Sequence, residues 1–465
     1  MINFFRFSKI DDSYLITNDF GMYAFLKEPG FQLLLKDKLD VTTDLYRSLE
    51  EKFFVYQGER EAFLQKVKEY SRTSRSYLFT PTTLFIFVVT TQCNMACRYC
   101  QANSPRQSTW HMMSEETAKK AVDLVFTTPS SFISIEFQGG EPLMNWDVVK
   151  YITLYSEKMA EETGKNVSFS IVSNLTLMNE EVYSFIKEHE ISLSTSLDGD
   201  VDVHNYNRPY RSGRGSFNNL SAAINRIHGD NYPIGAIETT TRRSLGKSKQ
   251  LIDTYVEHSL HSIFLRPLTP LGIANENWDE IGYTPEEFVS FYQDCLHYLL
   301  EVNRNGYDIS EGHAQMFLRK ILLSEGVNYM ELRSPCGAGI GQIAIYHDGR
   351  VFTCDEGRML AEMGDDAFQL GTVNSNYNSL IDSDVCKSVC ASSLLEGIPE
   401  CCDCVYSPYC GTCPVVNYAL NRDIFPNRPN NYRCKIYRGM LEELFRILKK
   451  GNEDDIKILQ NWACK

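Results

Sequence analysis

Residues 83–100 read TLFIFVVTTQCNMACRYC. The first nine are almost all β-branched, aromatic or leucine, which makes a strand by length and leaves it no polar face for water. A strand of that kind belongs in a parallel sheet covered by helices. Directly behind it come Cys93, Cys97 and Cys100, spaced four and then three apart. The carboxyl end of the strand therefore opens into a loop of thiols, at the place where ligand sites of parallel α/β folds gather.

Reading outward, five more strand-like runs follow at 132–140, 167–174, 191–199, 233–241 and 262–270. Amphipathic helices are expected between them at 114–127, 145–163, 178–189, 216–228 and 246–258, with Ser114 (and Glu116) and Asn145 as starting caps. Six such repeats predict a parallel sheet, barrel-like or doubly wound. Ahead of them, FFRFSKI, SYLITND and MYAFLK read as short strands followed by helical periodicity, a small α+β module over 1–80. Residues 284–324 read as bridging helices. Beyond Cys336 the pattern breaks into short strands, turns and cysteines, closing with a helix at 435–449. The expected division is 1–80, 81–275, 276–335 and 336–465.

The chain has 465 residues, 60 acidic against 46 basic, for a net charge of −14. That balance argues against broad phosphate-backbone contacts and so against a nucleic-acid partner. The opening MINFFRFSKIDDSY is charged too early for a signal peptide, and LFIFVV is too short to span a bilayer. The expectation is a cytoplasmic protein without a membrane partner. In a reducing compartment its 15 cysteines point to metal, not disulfides. Three lie at 93–100 and ten between 336 and 434, so two metal regions are expected.

Iron–sulfur cubanes are ordinarily held by four thiolates. A loop offering three leaves one iron open, and an open position is what a metal centre needs to take a substrate. Zinc completed by a distant residue is the alternative, but zinc hooks favour C-x2-C pairs over C-x3-C-x2-C.

With an aromatic, Tyr99, before its last cysteine, this motif after the first strand resembles the radical S-adenosylmethionine (SAM) superfamily. The resemblance implies that Cys93, Cys97 and Cys100 hold a [4Fe–4S] cluster whose open iron binds SAM, and that reductive cleavage yields a 5′-deoxyadenosyl radical that takes hydrogen from substrate. It also implies SAM contacts from Tyr99, from Gly139, Gly140 and Glu141 of GGEP, from Ser173 and Asn174, from Ser196, and from Arg208 facing the SAM carboxylate. Arg211 and Arg214 are rivals to Arg208. Asp198 and His204 match the family pattern but read as loop structure. Leu268 is placed against the adenine by the resemblance, and reads equally as a core leucine.

The C-terminal cysteines, with G-x4-C from Gly349 to Cys354 and CCDCVYSPYCGTCP at 401–414, are similar to the SPASM extension of radical SAM peptide-modifying enzymes. The fold so implied is α/β: a partial (β/α)6 radical SAM barrel with a small N-terminal α+β module and a cysteine-rich C-terminal SPASM domain. Two auxiliary [4Fe–4S] clusters are implied, three clusters in all. Cys401, Cys404, Cys410 and Cys434 would hold one; Cys336, Cys354 and Cys413 would hold the other. The chain departs from the pattern in the C-x2-C step from Cys410 to Cys413, and Cys402 competes with Cys401. Cys386, Cys390 or an open site would complete the three-cysteine set, while one zinc ribbon with spare buried cysteines is the rival reading. Cys295 and Cys464 read as ordinary thiols. Asp355 occupies the position proposed as proton acceptor in related sulfatase-maturating enzymes, although TCDEG is also a good turn.

Within this group, CVYSPYCGTCPV and YLITNDFG are most similar to the His-Xaa-Ser system maturases. The activity implied is crosslinking or oxidation of a ribosomally made precursor peptide, with flavodoxin or ferredoxin as electron donor. The N-terminal module is loosely similar to leader-peptide recognition elements, and a structural cap on the barrel is the alternative. Formylglycine formation, a tRNA-directed radical enzyme and a zinc-bearing interaction scaffold are the competing functions.

Overall fold

The computed structural model describes residues 1–104, 109–426 and 431–465. It opens with an antiparallel meander of β1 (Arg6–Ile10), β2 (Ser13–Thr17) and β3 (Tyr23–Lys27), followed by α1 (Glu28–Leu35), α2 (Asp44–Glu51) and α3 (Arg60–Ser74). Pro29 sits in the first turn of α1, where no amide hydrogen is needed, and Thr43 caps α2 by accepting from the Tyr46 amide. Ile16, Leu26, Phe31, Leu49 and Phe54 form this unit's own core.

The six expected strands are β4 (Leu84–Thr90), β5 (Phe132–Gly139), β6 (Asn166–Val172), β7 (Ser192–Ser196), β8 (Ile234–Thr239) and β9 (Ser262–Arg266), all parallel and neighbours in chain order. Between them run α4 (Glu115–Val125), α5 (Trp146–Thr163), α6 (Glu180–Glu188), α7 (Val201–Asn207), α8 (Phe217–Gly229) and α9 (Ser248–Glu257). The strand order never reverses, which excludes the doubly wound alternative. Residues of one phase, such as Ile86, Gln138, Ser194, Thr239 and Phe264, line a single cavity, so the sheet curls around it as a partial barrel. Residues of the other phase, such as Phe85, Phe87, Ile135 and Leu193, lie in the main hydrophobic core.

Two expected caps differ in how they act. Ser114 does cap α4, accepting from Thr117. Asn145 makes no cap; its amide donates to the carbonyls of Val89 (2.8 Å) and Met113 (3.1 Å), pinning the start of α5 to the end of β4.

After two single-turn helices, α10 (Ile273–Glu276) and α11 (Trp278–Ile281), come α12 (Pro285–Arg304), β10 (Ser310–Glu311) and α13 (Gly312–Leu322). The sheet continues on both sides of the six strands. β10 joins β9, and β11 (Gln342–Ile345) runs parallel to β4 with Gln342 opposite Leu84. β12 (Arg350–Phe352) and β13 (Gln369–Thr372) extend it antiparallel. TCDEG is not a turn: Cys354 caps α14 (Asp355–Glu362), its sulfur accepting from the Gly357 amide at 3.3 Å. Next come α15 (Tyr377–Ile381), α16 (Asp384–Ser393) and α17 (Pro414–Asn421). The closing helix α18 (Tyr432–Lys450) starts three residues before the expected one, and α19 (Glu453–Cys464), unforeseen, follows it.

The N-terminal meander rests on this last region. The Thr17 hydroxyl donates to the Val405 carbonyl (2.7 Å), the Tyr409 hydroxyl donates to the Gly21 carbonyl (3.0 Å), and the rings of Tyr23 and Phe445 meet at 5.3 Å.

Candidate active site

The barrel encloses a cavity of about 540 Å³, within the range of small-molecule sites. Cys93, Cys97 and Cys100 line one end of it. Their loop is held by backbone contacts to the end of β5 and to the segment that follows β9. Gly140 donates to the Thr90 carbonyl (2.9 Å) and Glu141 to that of Gln92 (2.6 Å). A Cβ at Gly139 would lie 2.4 Å from the Thr90 oxygen, and one at Gly140 would lie 2.1 Å from the Gln92 oxygen. The glycines of GGEP are thus required by the approach of the cysteine loop itself. On the far side Ile273 donates to the Cys100 carbonyl (3.1 Å), and Gly272, with φ of +55°, leaves room for it.

Glu141 is fully buried and accepts from the Ser173 hydroxyl (2.7 Å) and the Asn174 amide (2.8 Å). Burial raises its pKa, and these donors oppose the rise. Arg208, just past α7, donates to the Tyr99 hydroxyl (2.6 Å), which donates to Asp198 (2.6 Å). His204 accepts from the Asp198 amide (3.3 Å) and touches Ser216 (3.1 Å), whose hydroxyl donates to the Arg208 carbonyl. Asp198 and His204 therefore brace Tyr99 and Arg208 from behind. Of the rivals, Arg211 donates to the carbonyls of Cys93 and Ser104 (2.7 Å each), fastening the cysteine loop, and Arg214 is exposed.

Tyr99, Gly139, Gly140, Glu141, Ser173, Asn174, Ser196 and Arg208 all line the cavity. Leu268 does not; it is fully buried in the core, and its amide donates to the Tyr283 hydroxyl (2.6 Å). Asp355 lines the cavity too and accepts from Arg358 (2.7 Å). Reading the sequence missed Glu136, Arg266, Tyr329, Gln342 and Glu356, which also line it. The available signal was a charged residue at the inward phase of an otherwise apolar strand, as at Glu136 in FISIEF and Arg266 in SIFLR.

The three loop thiols suit a metal cluster. Burial raises the pKa of each, that of Cys100 to about 12, and Arg208 offsets it in part at Cys97. Thiols so placed stay protonated unless a metal holds them as thiolates. Among the described residues no three His, Cys, Asp or Glu side chains close on a single-ion site.

The other cysteines fall into groups. Cys401, Cys404, Cys410 and Cys434 line one small cavity beneath Leu395 and Tyr406. Cys402 is not among its walls; its carbonyl accepts from Arg6. Cys336, Cys354 and Cys413 share a separate buried cluster with Leu271 and Val389. Burial drives all three thiols upward, that of Cys336 to about 12. Cys386 and Cys390 lie one turn apart on α16, and a Cβ at Gly339 would lie 2.7 Å from the Cys386 sulfur. Cys295 is buried on α12 and Cys464 is exposed.

Residues 87–247 match the Radical SAM superfamily, a superfamily that uses a [4Fe–4S] cluster and SAM. An uncharacterized protein of Methanocaldococcus jannaschii is 30% identical over 185 residues, 40% of this chain and 62% of that protein, so less than two thirds of its length is matched. The cysteine-type anaerobic sulfatase-maturating enzyme of Clostridium novyi is 24% identical over 78% of this chain and 94% of its own. Among solved structures, anSMEcpe with bound AdoMet superposes with a TM-score of 0.68 at 20% identity, covering 82% of this chain and all of that one. SuiB of Streptococcus suis bound to precursor peptide SuiA superposes at 0.52 and 13% identity, covering 92% and 99%. At these identities the structural likeness establishes the shared fold.

Proposed function

We propose that this protein is a radical SAM enzyme that modifies a side chain of a ribosomally made precursor peptide, installing a crosslink or an oxidation. The single observation that carries the reading is a cavity lined both by the Cys93–Cys97–Cys100 loop and by Glu136, Arg266 and Asp355. When bound, a [4Fe–4S] cluster and SAM supply a carbon radical able to take a hydrogen atom from an unactivated side chain. Cys93, Cys97 and Cys100 hold that cluster. Glu141, an anionic acceptor fixed by Ser173 and Asn174, takes the SAM ammonium group, and Arg208 takes its carboxylate. Ser196 and the Gly139–Gly140 backbone line the same end. The barrel wall keeps water from the site.

Asp355, beside Cys354, accepts the proton that leaves the substrate, with Arg358 orienting its carboxylate. Cys336, Cys354 and Cys413 would hold one auxiliary cluster and Cys401, Cys404, Cys410 and Cys434 another, supplying an acceptor for the electron left on the substrate, with a flavodoxin or ferredoxin as the electron donor. The N-terminal meander binds the leader of the peptide, in the cytoplasm; CVYSPYCGTCPV and YLITNDFG favour a His-Xaa-Ser-type precursor. Support for a peptide substrate comes from the shared fold of SuiB, whose structure holds precursor peptide SuiA.

The test is anaerobic reconstitution followed by reductant, SAM and a short peptide encoded beside the gene. The expected result is 5′-deoxyadenosine together with a peptide lighter by two hydrogens, both lost in Cys97→Ala. No deoxyadenosine from a reconstituted, iron-loaded protein overturns the proposal. The likeness to sulfatase-maturating enzymes over most of the chain, with Asp355 behind Cys354, favours formylglycine formation as the second reading. Conversion of a Cys- or Ser-containing sulfatase peptide selects that one.

A further inference from the structure

The cysteines supply only three ligands for the auxiliary site of Cys336, Cys354 and Cys413. Six carboxylates stand near it or line the cavity, and five of them are taken, Glu136 accepting from Gln138 (2.5 Å) and Glu141 from Ser173 (2.7 Å). Glu331 accepts from Arg433 and from the Tyr437 hydroxyl (2.9 Å), while Asp355 (2.7 Å) and Glu362 (2.6 Å) accept from Arg358. Glu356 is different: it is 8% exposed, lines the catalytic cavity, and its Oε2 has no hydrogen-bond partner. Leaving a buried carboxylate without a donor is costly, so such a group is ordinarily a ligand to something.

Its position agrees. Glu356 lies in the first turn of α14, two residues past Cys354, and α14 packs on α17, whose N-terminal cap is Cys413. Burial raises all three thiols, and nearby carboxylates add to the rise: Glu356 at each of them, Glu331 at Cys336 and Cys413. Cys386 and Cys390 lie one turn apart on α16, Cys386 with its sulfur against Gly339.

We infer that Glu356 is the fourth ligand of the cluster held by Cys336, Cys354 and Cys413, an oxygen donor on the cavity side. This rests on the reading of those three cysteines as cluster ligands. An oxygen donor is harder than thiolate and suits iron less well, so this is the position a substrate donor atom exchanges into from the cavity.

The experiment uses the full chain with Cys93, Cys97 and Cys100 changed to Ala, so that only auxiliary clusters form on anaerobic reconstitution. Iron content, Mössbauer and EPR spectra are then compared among further variants. Cys354→Ala removes about four irons; if it does not, the cluster reading itself fails. With that established, Glu356→Gln gives a three-iron EPR signal after mild oxidation and about one iron fewer. Glu356→Cys restores the four-iron cluster with one altered iron site, and decides the matter should the Gln variant load poorly. Cys386→Ser and Cys390→Ser leave the spectra unchanged. Unchanged spectra in both Glu356 variants overturn the inference, as does a three-iron signal produced by Cys390→Ser.

Discussion

Gly140 shows how little freedom the site allows a single residue. A methyl group there meets a backbone oxygen at 2.1 Å, which cannot rotate away. Gly140→Ala is expected to destabilise the protein by about 3 kcal/mol or more and to displace the cysteine loop, lowering iron retention. Gly229 ends α8 with nothing within 4 Å, so Gly229→Ala is expected to be neutral or stabilising by up to about 1 kcal/mol. Denaturation midpoints and iron assays of the pair separate a local clash from a general effect of alanine. Glu141→Gln keeps the acceptor for Ser173 but loses the charge, and SAM affinity by calorimetry is expected to fall about tenfold or more. Because burial raises the pKa of Glu141, SAM affinity is also expected to fall on acidification above the ordinary glutamate value near 4.3, as the carboxylate takes up a proton.

At the scale of elements, the barrel strands were legible in the sequence because each carries its own evidence. TLFIFVVTT or FISIEFQGG is bounded by turns and helices, and needs no distant partner to be recognised. The loop motifs were legible for the same reason: CNMACRYC and GGEP are contiguous. β11 was not, since Gln342–Ile345 earns its place only by pairing with β4, a contact no local window contains. α14 hid because TCDEG is as good a helix start as a turn, and only the cap by the Cys354 sulfur decides. Asp198, read from the sequence as loop structure despite matching the family pattern, has a partner no local window shows: it accepts from Tyr99 and braces it. Lys320 on α13 tests one joint between elements. Its buried ammonium donates to the carbonyls of Leu332 and Tyr409, and burial lowers its pKa to about 8. Between that value and about 10.4 the unfolded chain keeps a proton that the folded one has lost, so stability rises with pH across this window. Lys320→Met is expected to remove that slope, about 3 kcal/mol at most, in denaturation of the metal-free protein relative to wild type.

For the molecule as a whole, the meander and the Cys401–Cys410 segment form one joint, through Thr17, Gly21 and Tyr23 on one side and Val405, Tyr409 and Phe445 on the other. Deleting residues 1–80 is therefore expected to lower iron bound by the C-terminal cysteines as well as peptide affinity. An unchanged iron content in the truncated chain would confine the module to peptide binding. The same joint sets a timetable. Thr17 and Val405 are 388 residues apart, so a ribosome moving at 5–20 residues per second delivers the second about 20–80 s after the first. During that interval the apolar underside of the meander has no mate, and a nascent chain stalled in between offers chaperones a sticky surface and the iron-delivery machinery an unfinished berth.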